Sequence, residues 1–169
     1  TSNILTKLTK VLLDESPDLA IVHGDTTTAM SAALTAFYLG IPVAHVEAGL
    51  RTSDINSPFP EEMNRQVISR IAELHFSPTE SARENLLREN IKDDNIFVTG
   101  NTAIDSLIVM GQKVKKIEYS SKVLKQLPFL NNKSASSSII LVTAHRRENT
   151  GDGFKSIFTA LLEIAKQNP

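Results

Sequence analysis

The sequence predicts an α/β protein built on a Rossmann-like, doubly wound parallel sheet. Three observations carry the α/β, parallel part of that expectation. Short β-rich runs alternate with helical stretches through the first part of the chain. Turn and cap signals such as Gly40 and Ser77-Pro78-Thr79-Glu80 separate them. Acids stand where two of the predicted strands end, at Asp25 and Glu47. Ligands of open parallel sheets bind outside those carboxyl ends.

In chain order, Ile4, Leu5, Leu8, Val11 and Leu12 have helical spacing, and Ser16-Pro17-Asp18 stops that helix. Leu19 to His23 reads as a buried strand and Thr26 to Leu39 as a helix ended by Gly40. Pro42 to Val46 is the next strand, followed by a loop rich in Ser, Asp, Asn and Pro. A helix over Glu61 to Ala72 leads to a strand at Leu74 to Ser77, then a capped helix through Arg88 and a strand at Asn95 to Thr99. Thr102 to Met110 is helical. The polar stretch that follows, with Ser134-Ala135-Ser136-Ser137-Ser138, reads as a connection. Ile139 to Thr143 is an apolar strand, and Phe154 to Lys166 a helix with Phe154, Ile157, Phe158, Leu161, Leu162 and Ala165 on one face.

The expected organisation is therefore residues 1–110 as part of a first domain, 111–138 as a connecting segment and 139–169 as the start of a second domain. One strand and one helix cannot bury their apolar faces alone, so the chain reads as a piece of a longer protein. It is expected to be inactive by itself.

Composition narrows the function classes. A chain of 169 residues with 41% hydrophobic and 22% charged residues can build a core. A net charge of −1 gives no nucleic-acid footprint or membrane-surface patch. No apolar run approaches the roughly 20 residues a membrane helix needs, and no signal-peptide pattern is present. With no cysteine, disulfides and thiolate chemistry are excluded. A cytoplasmic protein is expected.

Three carboxylates stand in sharply framed contexts. Asp25 lies in His23-Gly24-Asp25-Thr26-Thr27-Thr28, where either a helix cap or a catalytic acid fits. Glu47 precedes Ala48-Gly49, small residues that allow a ligand close; pairing with Arg51 is the ordinary alternative. Glu61 and Glu62 follow Pro60 in a first helical turn, where acids suit the helix dipole, and Arg65 lies one turn on from Glu61. Thr143-Ala144-His145-Arg146-Arg147-Glu148-Asn149 forms a second cluster, which fits either a diphosphate clamp or a solvated charged loop. Gly151-Asp152-Gly153 lacks the third glycine of a dinucleotide fingerprint, and His23, His45, His75 and His145 lack metal-ligand spacing. Neither a metal nor another cofactor is expected.

Five segments in order resemble the non-hydrolysing UDP-N-acetylglucosamine 2-epimerase family. They are His23-Gly24-Asp25-Thr26-Thr27, His45 through Thr52, Pro60-Glu61-Glu62 with Asn64-Arg65, Val98 through Thr102, and Thr143 with His145-Arg146-Arg147-Glu148-Asn149. The resemblance implies a two-domain, glycosyltransferase-B-like architecture, with two Rossmann-like domains facing across a cleft, and a homodimer when intact. It implies interconversion of UDP-N-acetylglucosamine and UDP-N-acetylmannosamine by elimination and re-addition of UDP at the sugar. By motif, Asp25, Glu47, Glu61 and His145 match catalytic positions. Arg65, Arg51, Arg146, Arg147, Glu148 and Asn149 match substrate-binding ones. The alternatives within reach are a hydrolysing relative, a glycosyltransferase of the same fold, or a non-catalytic sugar-nucleotide binder.

Overall fold

The computed structural model describes residues 1–114, 121–128, 140–143 and 151–167. The chain divides into two compact units, Thr1–Val109 and Met110–Pro169.

The first unit runs α1 (Ser2–Glu15), β1 (Ala20–His23), α2 (Thr27–Tyr38), β2 (Val43–Val46), α3 (Glu61–Ile71), β3 (Leu74–Ser77), α4 (Glu80–Arg88) and β4 (Ile96–Val98), with α5 (Thr102–Val114) beginning in it. All strand pairs are parallel and the sheet order is β1-β2-β3-β4. Right-handed crossovers in that order carry successive helices over the same face. The described sheet is thus one wing of a doubly wound arrangement.

Side-chain alternation agrees. Val22, His45, His75 and Ile96 are register partners across the four strands, and all are buried. Val22 and Val43 pack with Ala29, Met30, Ala33 and Ala36 of α2 and with Ile68 of α3, while Ile96 packs with Ala48 and Leu86. Full burial of Ile68 and of Leu86 contributes about 1.5–3 kcal/mol each. The opposite face carries Ile21, exposed, and the pair Phe76–Phe97, with ring centroids 5.8 Å apart.

Small residues let α2 lie close on the sheet. Its buried hydroxyls are satisfied within the helix, Ser31 donating to the Thr27 carbonyl at 2.7 Å and Thr35 to that of Ser31 at 2.8 Å. Ser16, in left-handed conformation (φ 45°), ends α1.

Within the second unit the structure describes α6 (Ser121–Gln126) and α7 (Asp152–Gln167). Sequence reading placed 121–126 inside a connecting segment, so α6 is an addition. The expected strand at 139–143 begins at a residue outside the described ones. Residues 140–143 pair with no strand among the described residues, and Ile140 and Leu141 are exposed. An apolar run becomes a strand only when a ladder partner takes its backbone groups. On α7, Phe154 stacks on Phe158 with centroids 6.1 Å apart.

Candidate active site

The first unit's charged cluster grows out of the carboxyl ends of β1 and β2 and the first turn of α3. The loops there are pinned by bonds that continue the ladder: Gly24 N–H donates to the Val46 carbonyl at 3.0 Å, and Ala48 N–H to that of Phe76 at 3.0 Å. Gly24 (φ 73°) and Glu47 (φ 70°) are both left-handed, which is ordinary for glycine and costly for glutamate. A Cβ on Gly24 would sit 3.4 Å from Glu47 Oε2, so the glycine gives that carboxylate its room.

Asp25 is not the cap of α2. Thr26 is, its Oγ1 accepting from the Ala29 amide at 3.1 Å. The Asp25 carboxylate is free for another task and takes Arg65, whose Nε and Nη2 both reach Oδ2, at 2.9 and 2.8 Å. Arg65 Nη1 donates to Glu62 Oε2 at 3.0 Å. Glu62 is fully buried and also accepts from the Thr52 amide at 3.2 Å and from Gln66 at 3.2 Å. The i,i+4 pair open to Glu61 and Arg65 is therefore not the one formed. Glu61 is half-buried at the helix N-terminus, with no hydrogen-bond or ion-pair partner among the described residues.

Glu47 does not pair with Arg51 either. Its carboxylate faces the His23 ring, with Nε2 3.9 Å from Oε2. Arg51 instead turns inward, its side chain 7% exposed, and grips Glu89 through Nε–Oε1 at 2.6 Å and Nη2–Oε2 at 2.9 Å. It also donates to Ser69 at 2.9 Å and to the Leu50 carbonyl at 2.7 Å. This guanidinium ties the loop after β2 to α3 and to the end of α4. The Arg51 hydrogen bond holds the Glu89 carboxyl below the usual range, burial partly opposing. Gly49 (φ 89°) allows the same loop to touch α4: an added Cβ would lie 2.2 Å from the Ala82 carbonyl oxygen.

Asp25 and Glu47 thus follow neighbouring strands, β1 and β2, and Glu61 opens α3, whose Arg65 reaches Asp25, while Arg51 holds Glu89 and Ser69. His145, Arg146, Arg147, Glu148 and Asn149 lie outside the described residues. Glu62 was expected only to suit the helix dipole, Asn64 and His45 fall inside motifs without a role of their own, and Glu89 and Ser69 fall in none. Period-2 alternation would have found His45, which shares the covered face with Val43. Its Nε2–H donates to the Gly24 carbonyl at 2.9 Å. Burial, partly opposed by that carbonyl, lowers its pKa to about 4.

A family model described as UDP-N-acetylglucosamine 2-epimerase matches residues 1–169. The chain belongs to that family. It is 53% identical over 169 residues to the UDP-N-acetylglucosamine 2-epimerase of Salmonella typhimurium, covering 99% of this chain and 44% of that one. The Neisseria meningitidis enzyme of the same name is 49% identical, over 100% of this chain and 45% of its own. Among solved structures, the Neisseria meningitidis UDP-GlcNAc 2-epimerase bound to UDP-GlcNAc superposes with a TM-score of 0.87 at 48% identity, covering 99% of this chain and 44% of that one. The Methanocaldococcus jannaschii enzyme in complex with UDP-GlcNAc and UDP gives 0.76 at 41%, covering 98% and 43%. The chain spans less than half the length of these epimerase relatives.

Proposed function

We propose that the protein to which this chain belongs interconverts UDP-N-acetylglucosamine and UDP-N-acetylmannosamine by inverting the sugar at carbon 2, without hydrolysis. What supports the reading is three carboxylates on adjoining elements: Asp25 held by Arg65, Glu47 at the end of β2, and Glu61 in the first turn of α3, whose side chain has no partner among the described residues. A protein that only bound an anionic sugar nucleotide would gain little from three negative charges there.

Carbon 2 carries no neighbouring carbonyl to acidify its proton, so plain deprotonation is slow and elimination is the workable route. A carboxylate base takes the carbon-2 proton. The C–H electron pair becomes the C1–C2 double bond, and UDP leaves carbon 1 with the electrons of the C1–O bond. The 2-acetamidoglucal then accepts a proton on the opposite face of carbon 2 from a second carboxyl group, and UDP oxygen re-forms the bond at carbon 1. Two-faced transfer requires a base and an acid, and a third carboxylate can orient or relay. Each positioned group supplies about 10²–10⁴-fold. Asp25, Glu47 and Glu61 fill these roles, and Arg65 fixes Asp25 at the substrate's edge. His145, Arg146, Arg147, Glu148 and Asn149 serve the diphosphate, for which guanidinium and imidazole donors suit phosphate oxygens. Arg51 holds the loop after β2 to α3 and to the end of α4 through Ser69 and Glu89.

Incubating the full-length protein with UDP-N-acetylglucosamine in deuterated water tests this. Deuterium at carbon 2 of both recovered UDP-sugars is expected. Conversion to UDP and free N-acetylmannosamine would identify a hydrolysing enzyme instead, and carbon 2 left protiated would remove epimerisation. Asp25→Asn, Glu47→Gln and Glu61→Gln are each expected to lower turnover steeply while UDP binding survives. The intact protein is further proposed to be a cytoplasmic homodimer, which light scattering at working concentration tests through its mass.

A further inference from the structure

The turn bearing Asp25 is held at more than its carboxylate. The Gly24 carbonyl accepts from His45 Nε2 at 2.9 Å. One residue on, the Asp25 carbonyl accepts from Asn64 Nδ2 at 2.8 Å. Both donors come from buried side chains, His45 on β2 and Asn64 on α3, with relative exposures of 0% and 1%. A carbonyl can only accept, so His45 carries its proton on Nε2. Among the described residues its other nitrogen, Nδ1, is buried without a partner, as is Asn64 Oδ1. Neither side chain makes any other hydrogen bond among the described residues, so each has this backbone carbonyl as its one partner.

We propose that His45 is a positioning residue for Asp25: its Nε2–H anchors the peptide just before Asp25 while Asn64 anchors the peptide just after it, so the carboxylate is presented from a backbone fixed on both sides. The proposal rests on the reading of Asp25 as one of the reacting acids. The left-handed Gly24 explains why two anchors are needed. With no side chain of its own, this residue can swing its flanking peptides cheaply, and a small rotation there moves the Asp25 carboxylate. Displacement of a reacting group by about 1 Å can cost roughly 10²-fold in rate.

The arrangement also favours one charge state. Protonation at Nδ1 would create a buried N–H with no acceptor beside a cation removed from water, and both changes are unfavourable. The lowered pKa of His45 follows from that same burial. The ring therefore acts at neutral pH as a fixed single donor.

The test uses full-length protein and separates anchoring from bulk packing. His45→Met keeps the apolar volume but loses the donor. His45→Gln places an amide N–H near the position of Nε2. His45→Met is expected to lower kcat by about 10²-fold, with KM for UDP-N-acetylglucosamine within about twofold. His45→Gln is expected to recover most of the loss. Asn64→Leu is expected to show the same kcat-only signature, which keeps the question open to experiment if His45→Met does not fold. Near-parental kcat in the folded Met variant, or equal losses in Met and Gln, would overturn the proposal. Asp25→Asn is measured alongside. If that variant stays active, the reading of Asp25 has failed; if it is inactive while His45→Met is not, only the positioning role has.

Discussion

Arg65 places two nitrogens, Nε and Nη2, on a single oxygen of Asp25 at 2.9 and 2.8 Å, across forty positions of sequence. Its third nitrogen holds Glu62, which has no exposed surface. One guanidinium therefore serves a surface-edge acid and a buried acid that needs a counter-charge. Removing the arginine should be felt in both roles.

Arg65→Met is expected to destabilise the full-length protein by about 3–5 kcal/mol, because Glu62 would be left as an uncompensated buried carboxylate. Adding Glu62→Gln should recover a large part, since the amide can still accept from the Thr52 N–H. Urea unfolding of the single and double variants measures this. A loss under about 1 kcal/mol, the value of an exposed pair, would show that Glu62 finds other solvation.

Much of the first unit was legible because its cues are local. Gly40 after α2, Thr79 before α4 and the apolar runs at 20–23 and 43–46 each act within a few residues of themselves. The ion pairs were not legible for the same reason. Sequence offered Arg51 to Glu47 and Arg65 to Glu61, both within four positions. The fold instead sends Arg51 to Glu89 and Arg65 to Asp25, partners 38 and 40 positions away. Helix α6 went unseen because a short polar segment has neither a caps-and-stripe pattern nor strong periodicity to mark it. The reading of Asp25 as a cap failed by a single residue: Thr26 supplies the capping oxygen, which releases the acid next to it.

Acid should weaken this domain in two overlapping windows. His45 has an ordinary value of 6.5 and a folded value of about 4 because burial disfavours its cation, and burial also lowers His75. The unfolded chain takes up those protons first, so stability is full above 6.5 and is lost as pH falls towards about 4. Glu89 works in the same direction lower down. Arg51 depresses it from 4.5, so its contribution is present above that value and fades as pH drops through the folded one. His45→Gln should flatten part of the upper slope, leaving the His75 share, and Glu89→Gln should flatten the lower. Denaturant midpoints across a pH series read this. A parent midpoint unchanged over the upper window would contradict the burial of neutral histidines.

Gly49→Ala should be far more damaging than Gly40→Ala, although both glycines have positive φ. At Gly40 a Cβ meets nothing within 4 Å, so only the left-handed cost of about 1–2 kcal/mol applies. At Gly49 the Cβ would sit 2.2 Å from the backbone oxygen of Ala82, which cannot move aside without dragging α4. Overpacking then adds about 1–3 kcal/mol or more, and the Arg51–Glu89 link is strained with it. Thermal unfolding compares the two, and equal losses would mean that the loop after β2 relaxes freely.

Glu47 separates stability from function at one residue. Its φ of 70° is a conformation glycine adopts without cost and glutamate does not. The strained residue is also one of the proposed reacting acids, a pattern expected where function requires the side chain. Glu47→Gly should therefore leave the full-length protein as stable as the parent or more stable, by up to about 1 kcal/mol after the entropy of an added glycine is counted. Turnover should be lost all the same. Glu47→Gln keeps the strained backbone and should match the parent in stability while also losing turnover. Thermal unfolding and epimerisation assays on both variants check the pair. A Glu47→Gly protein clearly less stable than Glu47→Gln would show that the glutamate stem holds the turn by packing, and that the left-handed backbone carries no strain for glycine to release.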